Sequence, residues 1–141
     1  MKKIAFITDG WERYVTYAWI EGYRRYTAEH PLMADLYVFH SFGNFSKDQN
    51  FNTGEYNIIQ LPDLSAFDGI ILDLANILNI SVKEKIVELA AKASVPVVSL
   101  MEKIPGMYFS GIDNQNAVRT LVEHLITRHH CRTINYIHGP E

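Results

Sequence analysis

A single cysteine, Cys131, among 141 residues excludes a disulfide within the chain and leaves a thiol expected to be buried or half-buried in a reducing compartment, the cytoplasm. An excess of positive charge is missing as well. Against 16 Asp and Glu there are 13 Lys and Arg, a formal charge of -3, and the basic residues are scattered rather than striped, which excludes the footprint of a nucleic-acid binder. Long apolar runs are missing too. The stretch after Met1-Lys2-Lys3 spans only about five residues, too short for a signal peptide or a membrane span, so neither export nor membrane association is expected. No GxGxxG or P-loop glycine pattern follows any predicted strand, so no dinucleotide or nucleoside triphosphate has its cradle of backbone amides, and no cofactor is expected. Internal repeats, low-complexity tracts and interdomain linkers are likewise absent.

What the chain has is apolar content, 48% of its residues, enough for one domain with a real core. Its organising stretch is Phe67-Asp68-Gly69-Ile70-Ile71-Leu72-Asp73, an apolar run without polar alternation, opened by a turn and closed by a carboxylate. Such a run fits a strand covered on both faces. A similar run, Val95 to Leu100, follows after one helix length, the β-α-β spacing of a parallel sheet. The expected fold is therefore α/β, a Rossmann-like parallel sheet with helices on both faces.

In chain order, Ile4 to Thr8 reads as strand one with a turn at Asp9-Gly10. Val15, Ala18, Trp19, Gly22, Tyr23 and Tyr26 form the stripe of a first helix that Pro31 stops. Leu36 to Phe39 is strand two, Ser41 to Thr53 a long loop, and Glu55 to Leu61 one or two helical turns ended by Pro62. Ser81-Val82-Lys83-Glu84 has the form of a capping box opening a helix whose buried face is Val82, Ile86, Leu89, Ala90 and Ala93. Tyr108 to Ile112 is a short fifth strand. Asp113 or Asn114 then caps a helix with an apolar stripe of Val118, Leu121, Val122, Leu125 and Ile126, and Ile134 to Ile137 is a last strand.

Catalytic signals are few. Ser99 and Ser110 have no nucleophile elbow around them. His124, His129, His130, Cys131 and His138 cluster in sequence, but they are expected to face different directions at a helix end, without CxxC or HExxH spacing, so no metal site is expected. They read instead as solvated groups complementing a helix C-terminus. What remains is a rim where strands end, the usual ligand position in open parallel sheets. Its members are Asp9, Trp11, Arg13, Tyr14, Asp73, Met101, Glu102, Asp113 and Asn114. Aromatic faces beside carboxylates suit a small polar ligand with apolar C–H faces. The bland alternative is that Trp11 and Tyr14 cover the sheet edge while Asp9 and Asp113 cap helices.

Six ordered segments carry a resemblance that spans nearly the whole chain: Ile4 to Asp9, Phe67 to Leu72, Val95 to Leu100, Gly111-Ile112-Asp113-Asn114, Val122-Glu123-His124-Leu125, and Arg132-Thr133-Ile134 through Gly139-Pro140. Together they resemble the ligand domain of lactose-repressor-type regulators and periplasmic sugar-binding proteins of type I. The resemblance implies a lobe that closes with a second lobe on a small molecule, most often a sugar, without catalysis. It implies Trp11 and Tyr14 as ligand-stacking aromatics and Asp113 as the aspartate at the first crossover between lobes. Joined with Asp9, Asp73 and Glu102 of the strand-end rim, these give the expected binding set Asp9, Trp11, Tyr14, Asp73, Glu102 and Asp113. Residues 1–112 are then expected to form the first lobe, and 113–141 the crossover with the first helix and strand of a truncated second lobe.

Two departures qualify the resemblance. Met101-Glu102 stands where the family's Asp-Arg pair grasps sugar hydroxyls, and a carboxylate accepts hydrogen bonds but donates none, so a ligand with donors or positive charge is expected instead of a simple neutral hexose. No helix-turn-helix precedes strand one. The Thr8-Asp9-Gly10-Trp11 turn and Ser41-Phe42-Gly43-Asn44 loop are similar to bacterial sensor domains fused ahead of GGDEF diguanylate cyclase or other signalling modules. A homodimer built on the tail is expected. Two rival functions stay open. A phosphoacceptor receiver would use Asp73 with Asp9, although only one acid follows strand one and Lys103 follows strand four rather than five. The other rival is a small flavodoxin-like enzyme.

Overall fold

A computed structural model of the chain describes residues 1–9, 13–42 and 46–137, apart from the side chain of Arg13. The chain divides into two compact units, Met1–Gly111 and Ile112–Glu141. In the first, β1 (Lys2–Asp9), β2 (Ala34–Ser41), β3 (Gly69–Asp73), β4 (Val97–Leu100) and β5 (Tyr108–Ser110) form one sheet in the order β2-β1-β3-β4-β5, with every pairing parallel. The helices between them are α1 (Arg13–Glu29), α2 (Gln49–Tyr56) and α3 (Ile80–Lys92). This is the expected α/β architecture.

Strand alternation sends successive side chains to opposite faces of the sheet. Ala5, Ile7, Ile70, Leu72 and Val97 join Tyr56, Ile59, Ile86 and Ala90 in the main core on the α2 and α3 side. Phe6, Leu36, Ile71 and Leu100 line a groove of about 340 Å³ together with Trp19, Gly22, Tyr23 and Tyr26 of α1. Both faces are therefore used, which is why the strands read as unbroken apolar runs.

Several boundaries differ from the sequence expectation. The loop assigned from Ser41 to Thr53 contains the first half of α2, capped by Asp48, whose carboxylate accepts from the Asn50 amide at 2.8 Å, and the chain continues through a 3-10 turn at Asn57–Gln60. Asn, Thr and Gly hide this helix by their low propensity, and burial of Tyr56 and Ile59 holds it in place. The cap of α3 is Asn79, which accepts from the Val82 amide at 3.2 Å, so Ser81 lies inside the helix and the capping box does not form. Asn is as good a cap as Ser, and the earlier one starts the helix. On α1 the buried side includes Thr16 while Ala18, Gly22 and Tyr26 are exposed, a stripe rotated from the one expected.

The second unit contains α4 (Asn114–His129), capped by Asp113 through the Asn116 amide at 3.0 Å and closed by His130 in the left-handed conformation. It has no buried residue. Val118, Leu121 and Ile126 are exposed, and Val122 and Leu125 half-buried. The expected strand from Ile134 to Ile137 is not formed, because a strand needs a neighbour to pair its backbone and none pairs with this segment among the described residues. Cys131 is half-buried and free.

Candidate ligand site at the carboxyl edge of the sheet

Strand register fixes which residues meet at the carboxyl edge. Asp9 pairs with Ser41, Thr8 with Asp73, Asp73 with Leu100, and Leu100 with Ser110. The chain leaves β1 toward β2 on one side and later returns to β3 on the other, so a topological switch point lies at the ends of β1 and β3, where open sheets place their ligands.

The buried polar side chains gather at this edge. Among the described residues, Thr8, Asp9, Ser41, Asp73 and Ser99 each occupy one of the last two positions of a strand, and Thr16 is in the first turns of α1. Asp9 is 2% and Asp73 6% exposed. Buried carboxylates are costly unless they are hydrogen-bonded. Thr8 meets part of that need, its hydroxyl donating to Asp73 Oδ2 at 3.2 Å. The hydroxyls of Ser41 and Ser99 have no hydrogen-bond partner among the described residues.

Tyr56 connects Asp9 to a neighbouring cavity. Burial and then the Asp9 charge push the Tyr56 hydroxyl up to about 12, so it is a neutral donor at any physiological pH. The cavity, about 310 Å³, is lined by Ser46, Gln49, Asn52, Thr53, Tyr56, Leu78 and Asn79. Its rim is braced: Asn52 accepts from the Ser46 amide at 3.2 Å and donates to the Ser46 carbonyl at 2.8 Å, and Glu55 accepts from the Phe42 amide at 3.2 Å. Neither this cavity nor the hollows of about 260, 280 and 340 Å³ elsewhere in this unit are lined by Asp9 or Asp73, and Tyr56 also lines the 260 Å³ one.

At the end of β4, Met101 adopts a positive φ of 65°, held by its amide donating to the Ser110 carbonyl at 2.9 Å. Gly111 lies in the same crowded turn, where a Cβ would stand 2.6 Å from the Phe109 ring and 3.2 Å from the Met101 Cα. A non-glycine residue in this conformation is strained, a feature that concentrates at binding sites.

The structure brings together some of the expected site residues and not others. Asp9 and Asp73 end adjacent strands. Glu102 is paired with Lys83 of α3 at 3.1 Å. Tyr14 is on α1 with 74% of its surface exposed. Asp113 caps α4 in the second unit. Trp11 and the Arg13 side chain lie outside the described residues. Sequence reasoning missed Ser41 and Tyr56 and did not assign Thr8 or Ser99 to binding; a polar residue ending an apolar strand was the available signal for Thr8, Ser41 and Ser99. The histidines of α4 also depart from expectation, because His124 and His129 face each other with Nε2 atoms 3.1 Å apart.

The chain matches no family model, no characterised protein and no solved structure in comparisons with each.

Proposed function

We propose that the chain is a non-enzymatic sensing lobe of a bacterial signalling or transcription-regulatory protein, acting in the cytoplasm, with a small polar ligand held at the carboxyl edge of the sheet and covered by a second lobe. The observation that carries this reading is the concentration of buried polar side chains, Thr8, Asp9, Ser41, Asp73 and Ser99, at the strand ends, with Asp9 acting on Tyr56, which lines a polar cavity on the α2 side. The hydroxyls of the two buried serines have no hydrogen-bond partner among the described residues, a need that a polar ligand at this edge would meet. The output, by the resemblance, is a GGDEF-type or transcriptional module, and Glu102 in place of the family's Asp-Arg pair favours a donor-bearing ligand over a neutral hexose.

A thermal-shift screen of sugars, polyols and amines against the protein carrying both lobes tests the proposal. Stabilisation by one class, reduced in Asp73→Asn and Asp9→Asn variants of intact fold, is the expected result. Trp11→Ala should weaken the same ligand roughly tenfold, the worth of one lost stacking face. Binding unaffected by all three substitutions would place the ligand elsewhere.

A second reading rests on the strand order. A β2-β1-β3-β4-β5 sheet with acids ending β1 and β3 is also the arrangement of a phosphoacceptor receiver, with Asp73 as acceptor. Acetyl phosphate treatment followed by mass measurement separates the two, because only the receiver gains a phosphoryl group.

A further inference from the structure

Five residues turn a regular α-helix through about 140°, so side chains at positions 124 and 129 would ordinarily diverge. On α4 they converge. His129 is the last helical residue, His130 after it takes the left-handed conformation with φ 54°, and both the His130 and Cys131 amides donate back to the Leu125 carbonyl. In this closed last turn the rings of His124 and His129 meet edge to face, centroids 4.9 Å apart and planes at 64°, with the Nε2 atoms 3.1 Å from each other.

We propose that His124 and His129 form a two-imidazole site for a divalent late transition-metal ion of the copper or nickel type, an inference independent of the ligand site on the sheet. Two nitrogens 3.1 Å apart and each about 2.1 Å from one ion subtend about 95° at it. That is close to the right angle of adjacent ligands in a tetragonal or octahedral site, the geometry of Cu(II) and Ni(II), and narrower than a tetrahedron requires. Imidazole is a suitable donor for these ions. The carbonyl end of the helix carries partial negative charge, which favours a cation there. No third His, Cys, Asp or Glu completes a set among the described residues. Without metal, the contact between the two Nε2 atoms is a ring-to-ring hydrogen bond whose donor is set by the tautomer, which keeps the site assembled.

Isothermal titration of the untagged full chain with NiCl2 and CuCl2 tests this, together with paramagnetic broadening of amide signals by Cu(II). The expected result is a single equivalent of ion, with broadening centred on the residues around His124 and His129. His124→Gln and His129→Gln should each weaken binding by at least the roughly 10- to 100-fold that loss of an outer-shell partner costs, while His30→Gln leaves it unchanged. Both substituted positions are exposed, and circular dichroism would confirm that the helix survives. Absence of binding, affinity unchanged in both variants, or broadening centred elsewhere would overturn the proposal.

Discussion

Tyr56 shows how one side chain ties the sheet edge to its surroundings. The residue is buried on the α2 side, where burial first and the Asp9 carboxylate second oppose ionisation of its hydroxyl and raise it from 10.0 to about 12. The folded state thus holds this proton more tightly than the unfolded state does. The associated stability is fully present below pH 10 and is lost as pH rises from 10 toward 12, because over that window the unfolded chain ionises while the folded one does not. Tyr56→Phe should therefore flatten the fall in stability across that window, as followed by urea unfolding at a series of pH values; an unchanged slope would detach Tyr56 from the effect. Met101 allows a second test. Its φ of 65° costs a non-glycine residue about 1–2 kcal/mol, whereas glycine at such a position loses roughly 0.4–1 kcal/mol through a freer unfolded chain. Met101→Gly should raise stability by a few tenths to about 1 kcal/mol, and a clear loss in denaturant midpoint would mean that the methionine side chain is needed for packing.

At the scale of elements, β1, β3 and β4 were legible because each is buried on both faces and so keeps an unbroken apolar run. Helix α3 was legible from its three-four repeat, though not its start, since Asn79 and Ser81 are both good caps and the sequence alone does not rank them. Helix α2 was only half visible. Its stability comes from tertiary anchors, Tyr56 and Ile59, that no local pattern announces. The segment Ile134 to Ile137 shows the converse, a strand-like composition that forms no strand without a neighbour. The candidate site divides in the same way. Asp9 and Asp73 could be placed because strand ends can be counted, whereas the meeting of Asp9 with Tyr56 depends on how α2 packs over the sheet. Burial also ranks substitutions in the two long helices. Ile86 of α3 is fully enclosed in the core, so Ile86→Ala should cost about 2–5 kcal/mol. Leu121 of α4 is 59% exposed, and Leu121→Ala should change chain stability by less than about 0.5 kcal/mol. Equal costs, measured by urea unfolding at low protein concentration, would mean that α4 is packed in solution.

The molecule as a whole is unevenly covered. The first unit closes its main core with α2 and α3, while the opposite sheet face carries α1 and the apolar groove beside it. The second unit presents α4 with no buried residue at all. An aliphatic side chain moved from water into an apolar contact gains roughly 1.5 to 3 kcal/mol, so Val118, Leu121 and Ile126 together represent a strong drive toward association, and contiguous apolar faces of this kind mark interaction surfaces. The homodimer expected from the sequence would satisfy that drive without another protein, because an isologous interface about a two-fold axis covers the same stripe on both copies at once. Light scattering at micromolar concentration should then report a dimer, and Leu121→Glu, which places a charge in the middle of the stripe, should shift it to monomer while leaving the β1 to β5 sheet intact by circular dichroism. A wild-type monomer, or a dimer indifferent to Leu121→Glu, would show that α4 is not the surface through which copies meet.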